Sequence, residues 1–92
     1  MTRWRLVVSA SAERGLSRLP PKVASAIVEF MVGPLIDDPH RVGKPLLREL
    51  SGYLAARRGV YRIIYRINEE TETVEVVRID HRSPVYRPLN SP

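Results

Sequence analysis

Close to its C-terminal end the chain carries an imidazole, a guanidinium and a phenol in quick succession: His81, Arg82 and Tyr86. Histidine titrates near neutrality and serves as either acid or base. Arginine stays protonated, so it makes a poor base, but its planar fork grips phosphate oxygens with two hydrogen bonds at once. Tyrosine stacks on a base or donates a proton. Upstream lie Arg57 and Arg58 before Gly59, then Arg62 and Arg78, and Lys44 sits between Gly43 and Pro45. The substrate that suits such a set is RNA, which carries its own nucleophile in the 2′-hydroxyl beside each phosphate. Cleavage requires that hydroxyl to be aligned and deprotonated, the transition-state charge to be neutralised, and the leaving 5′-oxygen to be protonated. Positioning and electrostatic stabilisation carry most of that work without a metal or cofactor. Taken singly each residue is weak, because an arginine on a strand is usually a solvated charge. Tyr61 and Tyr65 alternate with isoleucine and read as core. His40 reads as surface, and Glu69, Glu70, Glu72 and Glu75 as a solubilising hairpin tip.

Other chemistries lack their residues. The chain has no cysteine, which removes disulfides, zinc–thiolate sites and thiol nucleophiles. It contains no GxxxxGK[ST], GxGxxG or HExxH pattern, and Asp80 is the one aspartate near the arginines, so a two-metal nuclease lacks ligands. With 15 basic and 10 acidic residues the formal net charge is +5, and all the basic residues except Lys22 and Lys44 are arginine. A pI near 10.2 in so small a domain points to nucleic acid or an acidic partner. No apolar run approaches the ~20 residues of a membrane span, and the N-terminal apolar stretch is too short for a signal peptide. A cytoplasmic protein is expected.

The elements that must position these groups belong to one domain over residues 1–92. Trp4, Leu6 and Val8 alternate with Arg3, Arg5 and Val7, which predicts a first strand. Ser9 or Ser11 caps a short helix through Ala12, Leu16 and Leu19, ended by Pro20-Pro21. Val23, Ile27, Phe30 and Met31 form the stripe of a second helix, weakened at Gly33-Pro34 and stopped at Asp38-Pro39. Residues 39–52 read as an irregular connection. Strands follow over 53–58, 61–68 and 73–80, the last two joined by a polar hairpin. The order β-α-α-β-β-β describes an α+β domain, an antiparallel sheet with a helical hairpin on one face. Function is expected on the other face. Simple alternation puts Val74, Val76, Arg78, Asp80 and Arg82 on one side of the last strand and Thr73, Val77, Ile79 and His81 on the other. Pairing of the strands is expected to gather Arg57 or Arg58, Arg62 and the His81-Arg82 segment into one concave area.

The stretch Arg57-Arg58-Gly59-Val60-Tyr61-Arg62-Ile63-Ile64-Tyr65, followed after a hairpin by Val76-Val77-Arg78-Ile79-Asp80-His81-Arg82-Ser83-Pro84-Val85-Tyr86, resembles the RelE/ParE superfamily of toxins, and is especially similar to the actinobacterial, mycobacterial-type RelE toxins. The resemblance implies a microbial RNase-like fold and a toxin of a type II toxin–antitoxin system that cleaves mRNA in the ribosomal A site. The implied reaction is metal-independent 2′-hydroxyl attack, leaving a 2′,3′-cyclic phosphate and a 5′-hydroxyl. By position, Arg62 matches the family's phosphate-stabilising arginine and Tyr86 its substrate-positioning tyrosine. Arg57 or Arg58 matches a further phosphate contact, and His81 and Arg82 fall where the family places a catalytic arginine or histidine. Catalytic roles are thus expected of Arg62, His81, Arg82 and Tyr86, and RNA contacts of Lys44, Arg57, Arg58 and Arg78. Where the best-known RelE enzyme has strand lysines this chain has Leu54, Ala55 and Ala56, so the base would be His81 or, second, Lys44. A RelB-like antitoxin, acidic and partly disordered, is the implied partner, in a heterodimer or heterotetramer. Two alternatives share the scaffold: a non-enzymatic inhibitor of DNA gyrase of the ParE kind, and a weakly active toxin acting mainly in a repressor complex with its antitoxin.

Overall fold

A computed structural model describes residues 4–81. Strand β1 (Arg5–Val8) leads into helices α1 (Ala10–Ser17) and α2 (Pro21–Phe30), and a short helix α3 (Pro39–Val42) precedes β2 (Lys44–Pro45). Strands β3 (Leu54–Arg58), β4 (Tyr61–Asn68) and β5 (Thr73–His81) complete a five-stranded sheet in the order β1-β5-β4-β3-β2.

The local signals act as expected. Ser9 caps α1, its Oγ accepting from the Ala12 amide at 3.1 Å. Pro21 opens α2, where its missing N–H costs nothing. Gly33-Pro34 does not end that helix. The chain instead widens into a π-helical segment over Met31–Leu35, which gives Pro34 room where an α-turn would drive its ring into the carbonyl of Phe30.

Two expectations need correction. The sheet is mixed, because β1 runs parallel to β5 while the other pairings are antiparallel. A parallel pair between the first and last strands has no connecting turn, so no local residue pattern marks it. Part of the connection read as irregular, residues 39–52, is ordered as α3, β2 and a 3₁₀ turn at Arg48–Leu50.

The helices cover one face of the sheet. Ile27, Phe30, Met31 and Leu35 pack against Ala56, Ile63, Tyr65, Val74, Val76 and Ile79 to form the core. Tyr65 is fully buried and its hydroxyl donates to the Pro39 carbonyl at 2.6 Å, so the tyrosine satisfies its one polar atom inside the core. Burial, aided by the negative charge of Asp38, pushes the Tyr65 phenol up to about 12. No helix among the described residues is long and apolar enough to cross a membrane.

Candidate nucleic-acid interface

Residues alternate across a strand, so once Ile63 and Tyr65 are committed to the core, Arg62, Ile64 and Arg66 face away from the helices. Residues directly opposite on neighbouring strands share a face. One transverse row runs Arg57, Arg62, Asp80, and the next runs Lys44, Ala55, Ile64, Arg78. The four cations Lys44, Arg57, Arg62 and Arg78 therefore stand in two adjacent rows on the face left open by the helices, with Asp80 as the carboxylate among them.

A bulge makes this arrangement. The β4–β5 register shifts between Ile64, which pairs with Arg78, and Tyr65, which pairs with Val76, leaving Val77 outside the pairing. The extra residue changes the phase of alternation. Val74 and Val76 turn into the core, whereas Arg78 and Asp80, of the same sequence parity, join Arg62 on the open face. Uniform alternation from Val74 to Asp80 is thus incorrect. The Ser9 hydroxyl donates to the Val77 carbonyl at 2.9 Å, so the cap of α1 also satisfies the bulge.

Two features of the open face favour an anion. Arg57 and Arg62 are directly opposed across β3 and β4, and like charges in that position repel. The Nε of Arg62 is also buried without a hydrogen-bond partner among the described residues. Leaving such a donor unsatisfied costs about 1–3 kcal/mol. Arg78 is oriented differently, its Nε donating to Asp80 Oδ2 at 2.9 Å, a charge-assisted bond. Further along the strand Arg66 Nε donates to Glu75 Oε1 at 2.7 Å, and that bond, with a smaller contribution from Tyr53, raises the guanidinium above its ordinary range.

The expected site residues do not all converge. Arg57 shares the face of Arg62, but Arg58 points to the helices, its guanidinium carbon 4.3 Å from the centre of the Phe30 ring. His81 stands opposite Tyr61 on β5 and meets its ring edge-on at 5.1 Å, on the helix side of the sheet and away from Arg62. Of the two residues considered as base, Lys44 rather than His81 lies on the open face. Arg82 and Tyr86 lie outside the described residues. Sequence reasoning does not single out Tyr53, just before β3, which lines the open face beside Ile64 and Arg78, although its even spacing from Ala55 and Arg57 carries that signal. Among the described residues no group of three His, Cys, Asp or Glu side chains is arranged to hold a metal ion.

Comparison with known proteins bears on this geometry. Residues 6–86 match the profile of a family described as the ParE toxin of the type II toxin-antitoxin system parDE. The chain is 52% identical over 79 residues to Toxin RelG of Mycobacterium tuberculosis, an alignment covering 86% of this chain and 91% of the relative. It is 48% identical over 84 residues to Toxin RelE of the same organism, covering 91% of this chain and 87% of the relative. Among solved structures it resembles a chain of the M. tuberculosis toxin–antitoxin complex RelBE2 with a TM-score of 0.84 and 48% identity, covering 88% of this chain and 100% of that one.

Proposed function

We propose, because this chain belongs to the RelE/ParE family of toxins of type II toxin–antitoxin systems, that it is a ribosome-dependent endoribonuclease cutting mRNA in the A site. The observation that carries this reading is the opposed Arg57–Arg62 pair with the buried Nε of Arg62, which has no partner among the described residues. A phosphodiester placed there relieves the repulsion and supplies the missing acceptor, and the charge it gains in the transition state strengthens both contacts. The 2′-oxygen attacks phosphorus, the 5′-oxygen leaves, and the products are a 2′,3′-cyclic phosphate and a 5′-hydroxyl. In this reading Arg57 and Arg62 hold the phosphate, Lys44 is the amine on that face able to move a proton, and Asp80 keeps Arg78 oriented. The reaction draws on no metal, and it takes place in the cytoplasm, where the ribosomes are.

The proposed partner is a RelB-like antitoxin. The similar M. tuberculosis structure is that of a toxin–antitoxin complex, and a face with this charge favours an acidic chain that folds on it.

The test is to map mRNA ends in a translating extract. The wild type is expected to produce ends within codons, with or without EDTA, and Arg62→Ala to lose on the order of 10²–10³ in rate, the scale seen when one preorganised charge-stabilising donor is removed. Translation at full rate with no new ends defeats the reading. If the same preparation instead stops gyrase from supercoiling DNA, the non-enzymatic alternative, in keeping with the matched family's ParE description, takes its place.

A further inference from the structure

The open face also holds a cleft that the phosphate chemistry does not use. It has a volume of about 290 Å³ and is lined by Ser11, Leu50, Tyr53, Ile64, Val77 and Arg78. We infer that this cleft is a nucleobase pocket, which receives one base of the RNA while its phosphate lies on the Arg57–Arg62 row. The inference rests on the RNA-cleaving reading for its substrate and on separate observations for its shape.

The first observation is a buried apolar floor on the wrong side of the sheet. Ile64 is only 2% exposed, yet it is not part of the core under the helices. It belongs to the open face, where its neighbours along β4 are Arg62 and Arg66. Ile64 lines the cleft together with Leu50 and Tyr53 of the segment before β3, Ser11 of α1 and Val77 of the bulge. That segment before β3 is held by backbone bonds from Tyr53 to the Leu50 carbonyl at 3.1 Å and from Leu46 to the Tyr53 carbonyl at 2.9 Å. It includes Arg48 at φ 61, a left-handed conformation unfavourable for a side chain of that kind.

Position is the second observation. Ile64 is two residues from Arg62 on the same face, about 7 Å along the strand, which is the reach from a nucleotide's phosphate to its base. Arg78 belongs both to the cationic rows and to the lining of the cleft. The cleft is therefore continuous with the phosphate site, and charge complementarity favours a nucleotide over an apolar peptide. The lining chemistry suits a flat heterocycle: a tyrosine to stack on it, aliphatic carbon beneath it, and a hydroxyl and a guanidinium at its edge. RNA-binding proteins take up unstacked bases in this way, stacking them on aromatic rings and reading their edges with hydrogen bonds. Because arginine only donates, Arg78 reads acceptor atoms on the base. The size is at the small end for a ligand site, about 300 Å³ and upwards, as a single base requires.

The test titrates the isotope-labelled protein with each of the four nucleoside 3′-monophosphates and follows the methyl resonances of Ile64 and Val77. The expected result is a saturable shift at both, unequal among the four bases, with Tyr53→Ala weakening binding about tenfold or more, the scale of one lost base–aromatic stack. Tyr53→Phe, which keeps the ring, is expected to bind as the wild type does. Mapped cleavage sites should broaden in sequence in Tyr53→Ala. Methyl shifts without any cutting of mRNA leave the pocket standing and overturn only the nuclease reading. Cutting whose sites are unchanged in Tyr53→Ala, with no nucleotide moving Ile64 or Val77, overturns the pocket and leaves the nuclease. Shifts caused by an acidic antitoxin and by none of the four nucleotides overturn it as well. The wild-type titration needs no variant to fold.

Discussion

Arg57 and Arg58 are adjacent and chemically identical, and the sheet gives them opposite tasks. Arg57 faces Arg62 on the open side, whereas Arg58 lies over Phe30. Arg57→Ala is expected to lower RNA cutting tenfold or more and leave the melting temperature unchanged. Arg58→Ala should do the reverse, costing about 0.5–1 kcal/mol for a partly exposed cation–π contact. A pair of variants that lose activity equally would contradict this division. Tyr65 carries a second residue-scale prediction. Burial first, then Asp38, hold its phenol up at about 12 against the ordinary 10.0. Below pH 10 both the folded and the unfolded chain keep the proton, so the contribution to stability is complete. Between pH 10 and 12 the unfolded chain releases it while the fold must retain it, so stability falls as pH rises. Urea midpoints across that range should fall more steeply for wild type than for Tyr65→Phe. At neutral pH the same variant should lose about 1–3 kcal/mol, because the buried Pro39 carbonyl loses its donor.

Among the elements, β5 depends most on a detail of pairing. Its first half contributes Val74 and Val76 to the core and its second half contributes Arg78 and Asp80 to the site, and the bulge at Val77 joins the two. Ser9 serves both α1 and that bulge, accepting from Ala12 and donating to the Val77 carbonyl. Ser9→Ala is expected to cost about 1–2 kcal/mol, as losses of helix caps do, and to slow RNA cutting as Arg78 loses its placement. Ser9→Asp separates the two roles, since a carboxylate can accept from Ala12 but cannot donate to Val77. Stability should then recover in part while cutting stays slow. Full recovery of cutting in Ser9→Asp would show that the bulge does not need this bond.

At the scale of the whole molecule, a net charge of +5 matters through its distribution. Lys44, Arg57, Arg62 and Arg78 stand with Asp80 in two adjacent rows of the open face, and Arg66 is paired with Glu75 beside them. Binding of single-stranded RNA releases about 0.7 of a counterion per phosphate contacted. The logarithm of affinity should therefore fall against the logarithm of salt with a slope between about −2 and −3. Lys44→Ala should flatten that slope by about 0.7 without changing sequence preference. A slope that Lys44→Ala leaves untouched would remove Lys44, at the β2 edge of the sheet, from the RNA path.

The chain's own residues settled the fold class, the core stripes of the helices and β4, and the identity of the basic residues from which a site is built. These signals are local: periodicity, caps and turns act over a few neighbours, and permanent charge belongs to the residue itself. Tertiary structure alone decided which of those charges meet. Uniform alternation along β5 fails at Val77 because a bulge is a property of two strands and has no signature in one. The choice between Arg57 and Arg58, the turning of His81 toward Tyr61, the parallel docking of β1 on β5, and the meeting of Ile64 and Tyr53 at one cleft all follow from pairing between segments distant in sequence. Register converts a step of one residue into the opposite face of the sheet, and register is set only when the whole core packs.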